Sequence, residues 1–486
     1  VNSLHYALRF LTISLSGNIP PGRLTEENSM EYTEENPCEG ELYMKVAVIG
    51  GGVAGLSAAI HARAQGHEVS LYEKHARVGG RIWESRHNGY TFEMGPSMIT
   101  ELWVFDELFK TAGKSNPLTF SETPEFGFSI HQLLKVNRSD FKSVLDAHDR
   151  QLLAKMMGRF EKALPIIRNT VLSHPITGLF DLMSVSRLAL TARVFRPLSK
   201  AVEPFHSGEL KGLLSTYPAY TEKLIKDADS AALFAPMMML IDGIYYPEGG
   251  IYRIVEEMYA ACREMGVEVH CNSAVKTIRP EKNRIILDDS AFDHCIAAVD
   301  YSLAQTMLGR TAGHTAAHAY FAVCLGTDKL DLPHHSFLIP EDYEKGHRRI
   351  DDGKLPDSFL IYACYVEREK PSLFLVTVLP STQQIDYRSR KDEIAENMIR
   401  QFRQKTKLTP QIHAKEIMAP DDQEQWFGSL GGSVFGLSGI YNRYGFRPPN
   451  RDPKVRNLTY AGSTVQPGNG VPLAIRSGMF AARMIG

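Results

Sequence analysis

Lys45-Val46-Ala47-Val48-Ile49-Gly50-Gly51-Gly52-Val53-Ala54-Gly55-Leu56, followed after a helical stretch by Glu68-Val69-Ser70-Leu71-Tyr72-Glu73, decides the fold of this 486-residue chain. Lys45 to Ile49 is a β-branched run long enough for a buried parallel strand. Gly50 permits the tight turn out of that strand, Gly52 lets backbone approach a pyrophosphate, and Gly55 lets a helix pack close to the sheet. The helix that starts at Val53 and Ala54 points unpaired amides and a partial positive charge at such phosphates. Val53, Leu56, Ile60 and Ala64 share the face that lies on the sheet. Glu73 closes the second strand, where a carboxylate accepts both ribose hydroxyls. An acid there favours adenosine with a free 2′-hydroxyl, hence FAD or NAD rather than NADP.

Composition is that of an ordinary globular chain, with 43% hydrophobic and 23% charged residues. The net charge of −2 gives no electrostatic reason for a nucleic-acid partner. Six cysteines occur without a CxxC pair, which disfavours the disulfide-reductase flavoproteins, and their spacing fits no metal site. Free thiols in a reducing compartment are the expected state. No run of eighteen apolar residues suggests a spanning helix. The first 43 residues are acidic and pattern-poor, lack the basic start of a signal peptide, and read as an extension outside the fold. Met44 stands immediately before the first strand.

Downstream of Glu73 come Lys74, then Arg77-Val78-Gly79-Gly80-Arg81, then Gly89-Tyr90-Thr91-Phe92-Glu93-Met94-Gly95-Pro96-Ser97. Two adjacent glycines let backbone approach a large planar ligand, and an arginine offers fixed donors to phosphate or flavin oxygens. An NAD dehydrogenase has no need of this second loop. The set resembles the flavoprotein family that holds amine oxidases, carotenoid desaturases and the Rab escort proteins. In that family the Gly-Gly-Arg loop passes along the flavin side of FAD. The resemblance implies an α/β fold, a Rossmann-like FAD-binding domain with an interleaved α+β substrate domain of mainly antiparallel sheet plus helices.

Expected boundaries follow the chain as it weaves between the two. Residues 44–115, 244–300 and 421–486 form the FAD-binding domain. Residues 116–243 and 301–420 form the substrate domain, the first part being mostly helical and membrane-associating. Strands are expected over 126–136, 267–270, 274–278, 284–287, 292–297, 318–325, 334–339, 357–366 and 373–379, and helices over 101–112, 251–265 and 391–405. By the resemblance, Val275 in the strand 274–278 touches the adenine end. Met237 to Ile241 line an apolar tunnel or form ordinary core.

The chain ends with Ala461-Gly462-Ser463-Thr464-Val465-Gln466-Pro467-Gly468-Asn469-Gly470-Val471-Pro472, preceded by Phe446-Arg447-Pro448-Pro449. With Gly249-Gly250 and His334-His335, this order is similar to the bacterial and fungal phytoene desaturases and the diapophytoene desaturases, over residues 44–486. Many of those carry Thr-His where this chain has Val465-Gln466. The resemblance implies that Gly462, Gly470, Val471 and Pro472 face the flavin. It implies desaturation of a phytoene-like polyene, by hydride transfer from an allylic C–H to flavin N5 and then proton loss, with oxygen or a quinone as electron acceptor. His334, His335 and Arg447 are the candidates for catalysis, against structural histidines and a structural ion pair. No residue set points to a metal. A lipid-soluble substrate implies peripheral contact with the inner face of a membrane. Residues 176–205 either fit that role, with Leu179, Phe180, Leu182, Met183, Leu188, Leu190, Val194, Phe195 and Leu198 among Arg187, Arg193, Arg196 and Lys200, or form two buried helices of the substrate domain. An amine oxidase, carotenoid ketolase or saturase, and a non-redox lipid-binding escort protein, are the alternatives.

Overall fold

The computed structural model describes residues 43–130, 133–176, 187–188, 190–193, 196–216, 228–310, 313–438 and 447–486. The acidic extension, apart from Tyr43, lies outside the described residues, as do Phe446 and Leu179, Phe180, Leu182, Met183, Val194 and Phe195 of the apolar-basic segment.

Five short parallel strands build the first sheet: β1 (Lys45–Ile49), β2 (Glu68–Tyr72), β3 (Glu268–His270), β4 (His294–Ala297) and β5 (Leu458–Tyr460). Their order is β5–β4–β1–β2–β3. The chain steps outward from β1 to β3, then returns to the other side of β1 with β4. That reversal opens a crevice beyond the carboxyl ends of β1 and β4, where α/β sheets bind ligands. Helix α1 (Val53–Ala64) covers the sheet and packs against α2 (Val471–Ala482). The contact is close because Gly478 has no side chain: a Cβ there would stand 2.2 Å from the Ala54 carbonyl oxygen. Ser57 Oγ donates to the Ile475 carbonyl at 2.7 Å across the same seam.

The second sheet has seven strands in the order Ile412–Met418, Ala319–Thr327, Ser372–Leu379, Ile361–Val366, His335–Leu338, Glu125–Ser129 and Leu133–Asn137. All neighbours are antiparallel except the pair 335–338 with 125–129. Its inner strands are buried along almost their whole length because both faces are covered. On one face Phe321, Val323, Leu373 and Leu375 pack under Ile394, Met398 and Phe402 of the helix Lys391–Thr406. On the other, Phe337, Tyr362, Phe374 and Val376 meet the helices Ala147–Asn169, Gly208–Thr216 and Phe234–Asp242 through Met156, Phe160, Leu214 and Met237.

Four expectations are corrected. The stretch 126–136 is a hairpin of two strands, not one. The stretch 292–297 is cut at Asp293, whose carboxylate accepts the Lys45 amide at 2.8 Å, so Ser290–Phe292 and β4 belong to different sheets. The segment 274–277 is not strand: the Asp288 carboxylate accepts the amides of Lys276 and Thr277 at 3.2 and 3.0 Å, replacing a neighbouring strand. Val275 therefore sits half-buried beside the small sheet that starts at Ile278. The strand Ile412–Met418 was not expected, because its alternation is broken by Lys415 and Glu416 on an edge.

Candidate active site

The turn after β1 is held by the turn after β4. Gly50 has φ +104°, and a Cβ there would meet the Ala298 carbonyl oxygen at 2.6 Å. Gly55 is tighter still, with a Cβ position 1.9 Å from the Gly50 carbonyl oxygen. Gly52 differs. Its φ is −73°, and the nearest atom to a Cβ, Gly80 Cα, is 3.6 Å away. Nothing in the protein demands glycine at Gly52, so the space belongs to something else. Helix α1 has no side-chain cap and no acid in its first turn, which leaves its leading amides for an anion.

Glu73 is buried and fixed at both oxygens. Oε2 accepts the Gly51 amide at 2.8 Å and Oε1 the His75 amide at 2.9 Å. A carboxylate oxygen retains a second lone pair, so both can still accept a hydroxyl. Lys74 turns away, its Nζ donating to the Gln425 carbonyl at 3.4 Å.

The second glycine loop lies on the first. Gly79 donates its amide to Gly51 O at 2.9 Å, and a Cβ on Gly80 would stand 2.9 Å from Gly52 Cα. Gly95 packs closer still, against the Arg81 carbonyl. Arg81 itself gathers residues the sequence did not single out. Its guanidinium bonds Ser429 Oγ at 2.8 Å, donates to Ser463 Oγ, and pairs with the Asp300 carboxylate at 3.5 Å. Burial raises the Asp300 carboxyl above its ordinary value and Arg81 draws it back. Asp300 follows β4 and caps the next helix at the Ser302 amide, 3.0 Å away. Its position after a strand of the nucleotide sheet was the signal that could have found it.

The C-terminal glycine loop reaches the same region. Gly462 has φ +130° and donates to Ser477 Oγ at 3.0 Å. Asn450 Nδ2 ties the loop by donating to the Tyr460 and Gln466 carbonyls at 3.1 and 2.9 Å. Gly470, at φ +118°, leads into α2 with no side-chain cap, and Val471 and Pro472 form its first turn. Arg447 lies beside the loop, with Nε 3.9 Å from a Cβ built on Gly468, and donates to the Phe435 carbonyl. The Gln466 side chain accepts the Ile176 amide at 3.1 Å, which links the loop to the apolar-basic segment.

His334 and His335 lie elsewhere, at the start of a strand of the seven-stranded sheet. A short polar chain connects them to the Gly95-Pro96-Ser97 turn. Ser97 Oγ and the Tyr362 hydroxyl are 2.7 Å apart, and Tyr362 is 2.7 Å from His335 Nδ1. His334 Nε2 is 3.6 Å from Cys364 Sγ and its ring lies 4.7 Å from that of Tyr246. Tyr246 donates to Glu93 at 2.6 Å, and Arg368 donates to the same oxygen at 2.9 Å. Burial, then Arg368, pushes His334 down to about 4, and burial, then His334, lowers His335 well below its ordinary value. Burial pushes the Cys364 thiol up to about 12. Both rings are therefore neutral near pH 7, and desolvation makes them weak bases.

The family described as flavin containing amine oxidoreductase matches residues 53–486. The 4,4'-diapophytoene desaturase (4,4'-diaponeurosporene-forming) of Staphylococcus haemolyticus is 24% identical, over 90% of this chain and 98% of that protein. The 4,4'-diapolycopene oxygenase of a Methylomonas species is 26% identical, over 89% and 96%. An oxidoreductase from Methanosarcina mazei of solved structure superposes with a TM-score of 0.62 at 14% identity, over 90% of this chain and 99% of that one.

Proposed function

This chain belongs to the flavin-containing amine oxidoreductase family, and from that premise we propose that it is an FAD-dependent oxidoreductase that desaturates a lipophilic, phytoene-like polyene. The observation that carries the reading is the likeness to carotenoid desaturases and oxygenases along nearly their whole length. The close approach of Gly80 to Gly52, the bond from Arg81 to Ser463 of the C-terminal glycine loop and two uncapped helix N-termini support the cofactor.

Bound FAD supplies the hydride acceptor for oxidation of an allylic C–H. The protein's part is holding, orienting and excluding water. Amides of the Val53–Gly55 turn suit the pyrophosphate, and Glu73 suits the adenosine ribose. Arg81, paired with Asp300, presents a fixed cation beside the loops, while the first turn of α2 adds the positive end of a dipole. The apolar side chains of the Phe337–Tyr362–Phe374 face and of the helices packed on it are the ones proposed to part around a hydrocarbon, which needs rigid placement rather than a nucleophile. Ser97, Tyr362 and His335 offer a hydrogen-bonded route for a proton leaving that face. Residues 44–115, 244–300 and 421–486 are assigned to the cofactor and 116–243 and 301–420 to the substrate. Oxygen or a quinone is the proposed acceptor of electrons.

No helix among the described residues is long and apolar enough to cross a membrane. Leu188 and Leu198, expected at a lipid surface, are core residues. Leu190 is 78% exposed, with Arg187, Arg193, Arg196 and Lys200 also exposed, and this face supports peripheral binding to the inner leaflet.

A second reading, oxygenation of a preformed polyene, is favoured by the name of the Methylomonas relative. Flavin-loaded protein in liposomes carrying phytoene, diapophytoene or a preformed polyene separates the two. Desaturation removes two hydrogens per step and deepens the colour, whereas oxygenation adds oxygen to the product mass. Amine oxidation with all three polyenes unchanged would overturn both.

A further inference from the structure

Away from the flavin crevice, the helix Tyr343–Asp351 carries His347 and Asp351 one turn apart, on the same face. That face meets His318, the residue just before the strand Ala319–Thr327. His318 Nε2 is 3.0 Å from Asp351 Oδ1, and His347 Nε2 is 3.8 Å from the same oxygen. The three donor atoms all lie within 4.8 Å of one another. The two imidazoles cross nearly at right angles, 77° between planes, with centroids 5.1 Å apart. Tetrahedral zinc with bonds near 2.0–2.1 Å separates neighbouring nitrogen and oxygen donors by about 3.3 Å, so both measured distances sit around that value.

His347 is the second, independent pointer. It is only 4% exposed, and its Nε2, the atom turned toward this cluster, is buried without a hydrogen-bond partner. A buried polar atom without a partner is costly, and native cores rarely leave one. Asp351, in contrast, is 35% exposed and gives an ion a way in from solvent.

We propose that His318, His347 and Asp351 bind a divalent transition-metal ion, zinc foremost, as a clamp that pins the helix Tyr343–Asp351 to the seven-stranded sheet. Two imidazoles and one carboxylate are a borderline donor set that suits zinc or ferrous ion and selects against calcium and magnesium. Cysteine spacing could not reveal this site, because no cysteine belongs to it. It is independent of the redox reading, since none of its donors belongs to the glycine loops.

Zinc alone is the probe, added to the flavin-loaded full chain and followed by metal content after dialysis and by thermal unfolding. The wild-type protein is expected to retain zinc at the site and to melt higher with it. Asp351→Asn, a partly exposed and isosteric change, should weaken zinc retention beyond the roughly 10- to 100-fold that loss of an outer-shell partner costs. His347→Leu should abolish both retention and the thermal shift while flavin content stays normal. If His347→Leu does not fold, Asp351→Asn decides alone. His334, His335 and Cys364 also have donor atoms within 4.8 Å of one another. Zinc retained equally by wild type and Asp351→Asn, or not retained by wild type, would overturn the proposal.

Discussion

Around Gly50–Gly55 the groups proposed to meet the cofactor are backbone amides, whereas around His335 the polar groups are side chains drawn from four separate segments. The first region leaves one written trace, because a backbone amide can approach a ligand only where the sequence removes the side chain. The second leaves none: Ser97, Tyr246, Tyr362 and Cys364 have no common spacing, and any one of them alone reads as ordinary core. Backbone sites are also exposed to different damage. A methyl group in the wrong place closes them, while a side-chain network loses one member at a time.

The largest expected effect tests whether the glycines of the first region are interchangeable. Gly55→Ala puts a Cβ 1.9 Å from Gly50 O, so helix and strand cannot both keep their places. Insoluble or unfolded protein is expected, a loss beyond about 4 kcal/mol. Gly52→Val should instead fold normally, since the protein itself leaves that space open, and purify without flavin. Circular dichroism and flavin absorbance read the two outcomes. A folded Gly55→Ala, or a Gly52→Val that keeps its flavin, breaks the distinction between packing glycines and ligand glycines. Glu73→Ala falls between them. It should weaken FAD binding by about 1–3 kcal/mol and loosen the Gly51 turn as well.

How far the sequence could be read follows the same division. Gly50, Gly55, Gly80 and Gly95 were legible because backbone packed against each leaves no room for a Cβ, and Gly52 because it stands in the same short motif. Arg81 was legible, but its partners Asp300, Ser429 and Ser463 were not, since they arrive from three other segments. The inner strands 319–327, 361–366 and 372–379 announced themselves as continuous apolar runs, as strands covered on both faces do. The edge strand 412–418 did not, and the break before Ile278 was invisible because Asp288, a side chain, does the work of a missing strand. The histidine pair was visible as a pair; its burial, which decides how it titrates, was not.

Acid should weaken both regions, since burial pushes His61 in α1 down to about 4 just as it does His334. His334 and His335 both titrate below the ordinary value of 6.5, for the reason of burial, and His294 in β4 is pushed down to about 3 by burial and then Arg451. The folded state refuses protons that the unfolded chain binds below pH 6.5. Stability is therefore full above that value and falls as pH drops toward 4, by up to about 1.4 kcal/mol per pH unit for each group. Denaturant midpoints between pH 7 and 4.5 measure it. His334→Gln should flatten the profile, and an unchanged slope would mean that the ring reaches solvent.

The smallest effect sharpens the comparison on the scale of two leucines. Leu188 is buried against the helical layer and Leu190 is 78% exposed among arginines. Leu188→Ser removes core packing and should cost about 2–5 kcal/mol of stability, as large-to-small changes in cores do. Leu190→Ser changes a side chain that is 78% exposed, so the melting temperature should stay within a degree or two of wild type. Its effect belongs to lipid. A leucine partly inserted among headgroups contributes a fraction of the roughly 1.5–3 kcal/mol of full burial, so co-sedimentation with anionic liposomes should weaken several-fold. Arg193→Gln and Arg196→Gln together should cost about 1 kcal/mol each on anionic vesicles and nothing on neutral ones. Equal binding by Leu190→Ser and wild type on anionic vesicles would take the membrane from this face and leave Leu190 as a scattered surface leucine of the ordinary kind.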